Sequence, residues 1–185
     1  MDAAAKLVVS QGYLPLSLER LGQDAGTSKA LIYTYFPTQY DLFNALLQRE
    51  LSGLATSGLE TASRVNDFDQ AILLCAMLYF EHVQQSGPLL RILMADLYMA
   101  GHITPQVAEA GQAMLERVAR LARGILPLTP KEVMSAIEMM AVIPEVAGGL
   151  AFHKDLEPSL ARQICHTLIL SSLEALRTAG ADHAA

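Results

Sequence analysis

The sequence predicts an all-α protein, and three observations lead to that prediction. No stretch of the chain alternates apolar and polar residues with the β-branched enrichment that is typical of strands. The breaks between segments contain Gly, Pro, Ser, Thr or Asp, which are common where helices start and stop. Hydrophobic residues make up 52% and charged residues 17% of the 185 residues, a balance that excludes intrinsic disorder. This length suits one compact domain, or a small domain joined to a larger one.

Start and stop signals divide the first part of the chain into four predicted helices. Gly12 is a helix stop, whereas Ser17 and Ser28 are suitable N-cap residues. Pro37 interrupts the chain, and Thr38 with an aspartate three residues later is similar to a capping box. The predicted helices are an opening segment up to Gln11, a short helix after Ser17, a second short helix from Lys29 to about Tyr35, and a longer helix from Thr38 to about Thr56.

Longer helices are predicted for the rest of the chain. They cover Asp69 to Gln85, Leu89 to Ala100, Pro105 to Ile125, Lys131 to His153, and Pro158 to Arg177. Pro144 falls inside one of them and should kink it, because proline removes a backbone donor. The predicted architecture is a three-helix helix-turn-helix domain at residues 1–48, with its motif at 17–36, followed by a larger helical bundle at 49–185.

Composition limits the function that the chain can have. The net charge is −6, and the first fifty residues contain four basic and five acidic side chains, so no strongly basic footprint points to nucleic acid. The longest apolar run, residues 71–80, is shorter than the roughly 20 residues that span a bilayer. No signal-peptide pattern is visible, and two cysteines in apolar contexts fit reduced thiols, so we expect a cytoplasmic protein. The apolar excess predicts a face that is buried against a second copy of the chain.

Residues 17–36 form the most informative segment, SLERLGQDAGTSKALIYTYF. Two short predicted helices meet there at a turn that contains glycine, which is the layout of a helix-turn-helix. Lys29 beside Tyr33 and Tyr35 can bond phosphate oxygens, and the small side chain of Ala30 lets the helix enter the major groove deeply. The same aromatic residues can also form a small core, so the pattern alone leaves DNA contact and simple packing equally open.

This segment and its surroundings resemble the DNA-binding domain of the TetR family of bacterial transcriptional regulators. The matching elements cover about the first fifty residues: Ala3-Ala4, Gly12-Tyr13, Ser17-Leu18, Ala25-Gly26-Thr27-Ser28, Tyr33-Thr34-Tyr35-Phe36, and Thr38 to Leu42. The resemblance implies a homodimeric repressor of a palindromic DNA operator, released or tuned by a small apolar or amphipathic ligand. It also implies that the bundle binds this ligand and dimerises through its last two helices, with no cofactor and no metal.

The resemblance assigns DNA contacts to a set of residues in and beside the motif: Ser17, Thr27, Ser28, Lys29, Ala30, Tyr33, Tyr35 and Gln39. Within this set, Lys29 and Ala30 face base edges, and Lys29 suits guanine. Gln39 stands where the family usually has a lysine, and the chain begins partway through the family's first helix. Both departures remove positive charge, which predicts modest affinity and a shallow dependence on salt.

Polar side chains in apolar helices, with methionines near them, are candidates for an adaptable ligand pocket. These candidates are Tyr79, His82, Met94, Tyr98, His102 and His153. Small, pliable or apolar positions on the last two helices are candidates for the dimer interface: Met140, Ala147, Leu160, Ile164, Leu168 and Ser172. For each pocket residue a structural role is the simpler alternative, and both last helices can also be ordinary core.

Two other classes of function compete with a DNA-binding regulator. An enzyme has little support, because the sequence contains no Gly-x-Ser-x-Gly elbow, phosphate-binding glycine loop, His-Glu-x-x-His zinc helix or Glu-x-x-His di-iron motif. The stronger alternative is a helical small-molecule-binding protein of the same fold with little or no DNA affinity. Gln39 and the acidic balance favour this alternative, whereas Lys29, Tyr33 and Tyr35 argue against it.

Overall fold

A computed structural model describes residues 1–59, 62, 65, 67–122 and 125–183, and the regular structure in these ranges is helical throughout. The prediction of an all-α fold is confirmed. The helices, in chain order, are α1 (Asp2–Gln11), α2 (Leu18–Asp24), α3 (Lys29–Tyr35), α4 (Gln39–Leu54), α5 (Phe68–Ser86), α6 (Leu89–Ala95), α7 (Pro105–Leu121), α8 (Pro130–His153) and α9 (Pro158–His183). A π-helical turn, Ala55–Leu59, continues α4, and a 3₁₀ turn, Leu97–Met99, follows α6.

The chain divides into two compact units. The first contains residues 1–52 and 88–110, and the second contains residues 53–87 and 111–185. The boundary expected at residue 48 divides a DNA-binding domain from a ligand-binding domain, and this functional division stays a prediction. The two compact units divide the chain differently, because residues 88–110 pack with the amino-terminal helices and α6 lies against α1.

Local sequence explains where the helices of the first unit begin and end. Gly12 ends α1 in the left-handed region, at φ 79°, where a residue without a side chain is favoured. The hydroxyl groups of Ser17 and Ser28 cap α2 and α3, as predicted. Apolar side chains from α1 to α4 are buried in this unit: Leu7, Val8, Leu18, Leu21, Ile32, Leu42, Phe43, Leu46 and Leu47.

The predicted helix from Leu89 to Ala100 is broken in the structure. α6 ends at Ala95, because Asp96 adopts an extended conformation with ψ 130°. The Asp96 carboxylate accepts a hydrogen bond from the backbone N–H of Tyr98 and another from the N–H of Leu14. A contact more than eighty residues away therefore decides this helix end.

The second unit is a helical bundle in which α8 packs against α5 and α9. Its core contains Phe68, Ile72, Phe80, Ile137, Met140, Ala147, Cys165, Ile169 and Leu173. α5 and α8 approach closely at Gly148, because a Cβ added there would lie 2.8 Å from the Phe80 carbonyl oxygen. Thr129 and Glu132 form a complete capping box at the start of α8, and α8 continues through the buried Pro144.

α8 is long and apolar enough to span a membrane, with a mean hydropathy of 1.5 over an 18-residue window. The longest uninterrupted apolar run in the sequence lies elsewhere, because Glu138 and Glu145 interrupt the apolar stretches of α8. Its inner face, which includes Val133 and Ile137, belongs to the bundle core. Its hydropathy is that of a core helix whose outer face is also rich in apolar residues.

Candidate nucleic-acid interface

The turn between α2 and α3 sets the geometry of the helix-turn-helix. Gly26 has a φ of 62°, a conformation that residues with a side chain rarely adopt. The N–H of Thr27 donates to the Gly22 carbonyl at 2.8 Å. A Cβ on Gly22 would lie 2.8 Å from the Thr27 carbonyl oxygen, so the last turn of α2 approaches the start of α3 closely. The sequence pattern identified Gly26 but not the role of Gly22.

Ser17 and Ser28 cap the two helices of the motif. The Ser17 hydroxyl accepts from the Arg20 N–H at 3.3 Å, and that of Ser28 accepts from the Leu31 N–H at 3.1 Å. Both serines are exposed. A hydroxyl group that accepts a hydrogen bond can also donate one, so the Ser28 hydroxyl can donate to a phosphate. The single proton of the Ser17 hydroxyl is directed at the Glu19 carboxylate, and a phosphate would have to take the place of that acceptor. Both phosphate contacts stay predictions.

Lys29 forms an ion pair that the sequence pattern did not predict. Its Nζ lies 2.6 Å from Oε1 of Glu19, on α2, and the Ser17 hydroxyl donates to Oε2 of the same carboxylate at 3.4 Å. Both charged side chains remain exposed, at 48% for Lys29 and 65% for Glu19. The hydrogen bond and the opposite charge raise the pKa of Lys29 and lower the pKa of Glu19, so both groups stay ionised around neutral pH.

Tyr33, Tyr35 and Ala30 are exposed on α3, so these predicted contact residues are accessible. Tyr33 lies four residues after Lys29 and therefore on the same face of the helix. Tyr35 exposes 73% of its surface, which argues against the alternative that the tyrosines form a small aromatic core.

Thr27 is placed differently from what we expected. Its hydroxyl oxygen is buried and has no hydrogen-bond partner among the residues that the structure describes. The residue lines a cavity of about 200 Å³ within the first unit, together with Leu21, Ile32 and Leu42. The buried hydroxyl oxygen is therefore not presented to a phosphate.

Gln39 also has a role that the sequence did not indicate. Its Oε1 accepts from the Leu16 N–H at 2.9 Å, and its Nε2 donates to the Leu16 carbonyl at 3.1 Å. The amide therefore holds the segment that leads into α2. One N–H of Nε2 remains for the phosphate contact that we expected, and that contact stays a prediction.

The predicted ligand residues do not all lie in one unit. Met94, Tyr98 and His102 belong to the first unit, whereas Tyr79, His82 and His153 belong to the second. Met94 and His153 are exposed. We expected them together inside a bundle at 49–185, but residues 88–110 pack with the amino-terminal helices instead.

Tyr98 and His102 stack on Tyr40 of α4. The ring centroids of Tyr40 and His102 are 3.8 Å apart, and those of Tyr40 and Tyr98 are 4.8 Å apart. Asn44, one turn further along α4, donates to the His102 carbonyl and accepts from the Thr104 N–H, both at 2.8 Å. These contacts hold the 96–104 segment against α4, which gives Tyr98 and His102 a structural role.

Tyr79 is the predicted ligand residue whose surroundings best suit that role. Its hydroxyl donates to Oε2 of Glu145 at 3.3 Å, which joins α5 to α8 within the apolar bundle. His82 lies one turn further along α5 and is half-buried. A few polar groups among apolar side chains are typical of small-molecule sites, so these two residues remain candidates.

The predicted dimer residues fall into two groups. Met140 and Ala147 belong to the core, because they lie on the side of α8 that packs against α5 and α9. Leu160, Ile164 and Leu168 are exposed at four-residue spacing along α9. Ser172 is half-buried and donates to the Leu168 carbonyl at 2.7 Å. The outer face of α8 carries exposed apolar residues that we had not assigned to the interface: Met139, Val142, Val146 and Leu150.

Residues 1–46 match the family model of bacterial regulatory proteins of the tetR family. This range contains α1 to α3, the glycine turn and the start of α4. Residues 1–46 are therefore, by sequence, a TetR-family DNA-binding domain. The expectation drawn from the motif elements between Ala3 and Leu42 is confirmed.

One curated relative and two solved structures extend the comparison. The HTH-type transcriptional activator FasR of Mycolicibacterium smegmatis is 24% identical over 106 residues, so the match covers 57% of this chain and 47% of that protein. PfmR of Thermus thermophilus superposes with a TM-score of 0.71 at 21% identity, over 92% of this chain and 96% of its own. FadR of Bacillus halodurans, described as a fatty acid degradation regulator, has a TM-score of 0.69 at 17% identity, over 91% and 95%. The two structures show that the fold extends over nearly the whole chain, beyond the matched amino-terminal domain.

Proposed function

We propose that this TetR-family chain is a DNA-binding transcriptional regulator that acts as a homodimer on a palindromic operator. The observation that supports DNA binding best is the exposed face of α3, where Lys29 and Tyr33 lie one turn apart behind a glycine turn. The helix that follows such a turn is the one that enters the major groove in helix-turn-helix proteins. A homodimer presents two such helices, so its operator is palindromic.

The outer faces of α8 and α9 support the homodimer. Met139 exposes 67% of its surface, and the apolar residues after it on α8 follow at helical spacing. The exposed stripe Leu160, Ile164 and Leu168 runs along α9, which packs beside α8 in the same unit. Soluble monomers seldom leave contiguous apolar surface of this kind in water, whereas two-fold dimers bury it.

The bundle of the second unit is the site that we propose for the ligand. We place a small apolar or amphipathic ligand in the bundle of the second unit, with Tyr79 and His82 as its polar contacts. α4 and α7 each contribute residues to both compact units, and α4 also follows the helix-turn-helix directly in the chain. We therefore propose α4 as the element through which ligand binding changes the affinity for DNA. That change requires the ligand to bind the DNA-competent and DNA-incompetent states with different affinities.

We expect the ligand to release the protein from DNA, as a repressor requires. The relative from Mycolicibacterium smegmatis is named an activator. The alternative outcome is therefore a ligand that raises the affinity of the protein for DNA. Operator affinity measured with and without a panel of saturated fatty acids decides it, because these probes are amphipathic. A lower affinity supports release, and a higher affinity contradicts it.

Two experiments test DNA binding. In the first, the purified chain selects sites from a random duplex library. In the second, its binding to the region upstream of its coding sequence is measured at two salt concentrations. We expect a palindromic site that resists non-specific competitor. Lys29→Ala and Tyr33→Ala should lose that binding, and Lys131→Ala, which removes an exposed lysine from α8, should keep it. If the wild-type chain selects no site, it is a helical small-molecule-binding protein with little DNA affinity.

A further inference from the structure

The ion pair between Glu19 and Lys29 places a hydrogen-bond acceptor beside a donor on the exposed surface of the helix-turn-helix. Oε1 of Glu19 and Nζ of Lys29 are 2.6 Å apart, and both side chains are exposed. The Ser17 hydroxyl at 3.4 Å from Oε2 holds the carboxylate from its other side. Lys29 is the one basic residue of α3, so a carboxylate next to it weakens non-specific attraction to phosphates. A carboxylate that weakens attraction to phosphates suits a surface that also binds a hydrogen-bond donor of the DNA.

The major-groove edge of a base pair presents hydrogen-bond donors and acceptors side by side. In a G·C pair, guanine presents the acceptors N7 and O6, and cytosine presents the N4 amino donor. The O6 and N4 atoms are themselves joined by a base-pair hydrogen bond of about 2.9 Å. A donor and an acceptor held 2.6 Å apart in the protein therefore match this edge, with Nζ over O6 and the carboxylate over N4.

An A·T pair also presents a donor beside an acceptor, but its neighbouring groups do not fit. Adenine has the acceptor N7 next to its N6 donor, and N7 repels a carboxylate, which can only accept. Thymine has a methyl group next to O4, where guanine offers an ammonium a second acceptor. Lys29 has three donor hydrogens, so it can keep its bond to Glu19 while it binds both guanine atoms.

We infer that Glu19 and Lys29 act as one base-reading unit that selects a G·C pair in each half of the operator, with Lys29 on guanine and Glu19 on cytosine. This inference rests on the proposed DNA-binding function and adds Glu19 as a residue that determines specificity. The two residues together specify this base pair more strictly than Lys29 alone would.

The experiment is site selection from a random duplex library by the full chain and two variants. Glu19→Gln removes the charge but keeps the size of the side chain, and an amide prefers adenine to cytosine. Asp24→Asn is the matched control, because it removes one negative charge from the same helix at a residue that pairs with Arg20 instead. Circular dichroism establishes that all three proteins are folded.

We expect the wild type and Asp24→Asn to select the same palindrome with one invariant G·C pair in each half. Its replacement by A·T should weaken their binding about fivefold to a hundredfold. Glu19→Gln should lose that preference by at least about fivefold and keep the other positions. A wild-type operator duplex in which the N4 amino group of this cytosine is absent should show the same loss without any change in the protein.

Two results overturn the inference, and they are distinguishable. If the wild type selects a palindrome and Glu19→Gln keeps every base preference, Glu19 does not read a base, while the proposed function stands. If neither the wild type nor Asp24→Asn selects any site, the proposed DNA-binding function itself fails.

Discussion

Gln39 of α4 holds both backbone polar groups of Leu16. The amide accepts from the Leu16 N–H at 2.9 Å and donates to its carbonyl at 3.1 Å. Leu16 is 4% exposed, so these backbone groups have little water to replace the amide. The residue at the position of the family's lysine therefore fixes the segment that positions α2.

Replacing Gln39 by alanine should lower the free energy of unfolding by about 1–3 kcal/mol, because it leaves two backbone groups of a buried residue without partners. Urea denaturation followed by circular dichroism measures the change. Gln106→Ala, at an exposed position of α7, is the control and should stay within about 0.5 kcal/mol of the wild type. Equal stability of the two variants would contradict the role assigned to Gln39.

Replacement of two exposed glycines by alanine should change the stability of the protein in opposite directions. At both Gly26 and Gly53 an added Cβ would meet nothing within 4 Å, so packing does not decide the outcome. Gly26 has a φ of 62°, and alanine should destabilise the protein by about 1 kcal/mol. Gly53 lies within α4, where alanine should stabilise it by about 0.5–1 kcal/mol. Thermal unfolding of the two variants tests the pair, and a shift of the same sign in both would refute the conformational argument.

A charge on the α9 stripe should break the proposed homodimer. Ile164→Glu buries a carboxylate without a partner in the interface, so the dimer should dissociate at least about a hundredfold more readily. Sedimentation equilibrium over a range of protein concentrations measures this. His166→Glu adds the same side chain to an exposed position on another face of α9, and it should remain dimeric. If both variants dimerise like the wild type, the interface lies elsewhere.

Both cysteines should be unreactive in the folded protein. Burial raises the pKa of Cys75 to about 11 and that of Cys165 to about 11, from an ordinary value of 9.0. At pH 8 only about one thiol in a thousand is then ionised, and the thiolate is the reactive form. Iodoacetamide at pH 8 should therefore label the native protein slowly and label two thiols after unfolding in urea. Fast labelling of the native protein would show that one of the two thiols is accessible.

The fold could be predicted from sequence wherever short-range signals decide it. Ser17, Ser28 and Gly12 act on their own helix ends, so the limits of α1 to α3 followed from local chemistry. The break after Ala95 could not be predicted, because the Asp96 carboxylate is held by a backbone N–H in a distant part of the chain. The same reason explains why residues 88–110 were assigned to the bundle.

The candidate site was predictable only in its residue types and their positions along the chain. Lys29, Tyr33 and Tyr35 are exposed on α3, as a helix-turn-helix pattern requires. The partner of Lys29 was not predictable, because Glu19 lies ten residues earlier on another helix, and their approach depends on the turn between them. Met140 and Ala147 were misplaced because small and pliable residues suit a helix core as well as an interface.

The pairing of Glu19 with Lys29 also bears on how such a regulator changes its targets over time. Codons for glutamate and glutamine differ in their first nucleotide only. Glu19 is exposed and is not among the buried core residues, so its replacement by glutamine should leave the fold intact. If Glu19 reads a cytosine, one point mutation redirects the protein to a different set of promoters, and selection can act on that change without first repairing a damaged fold.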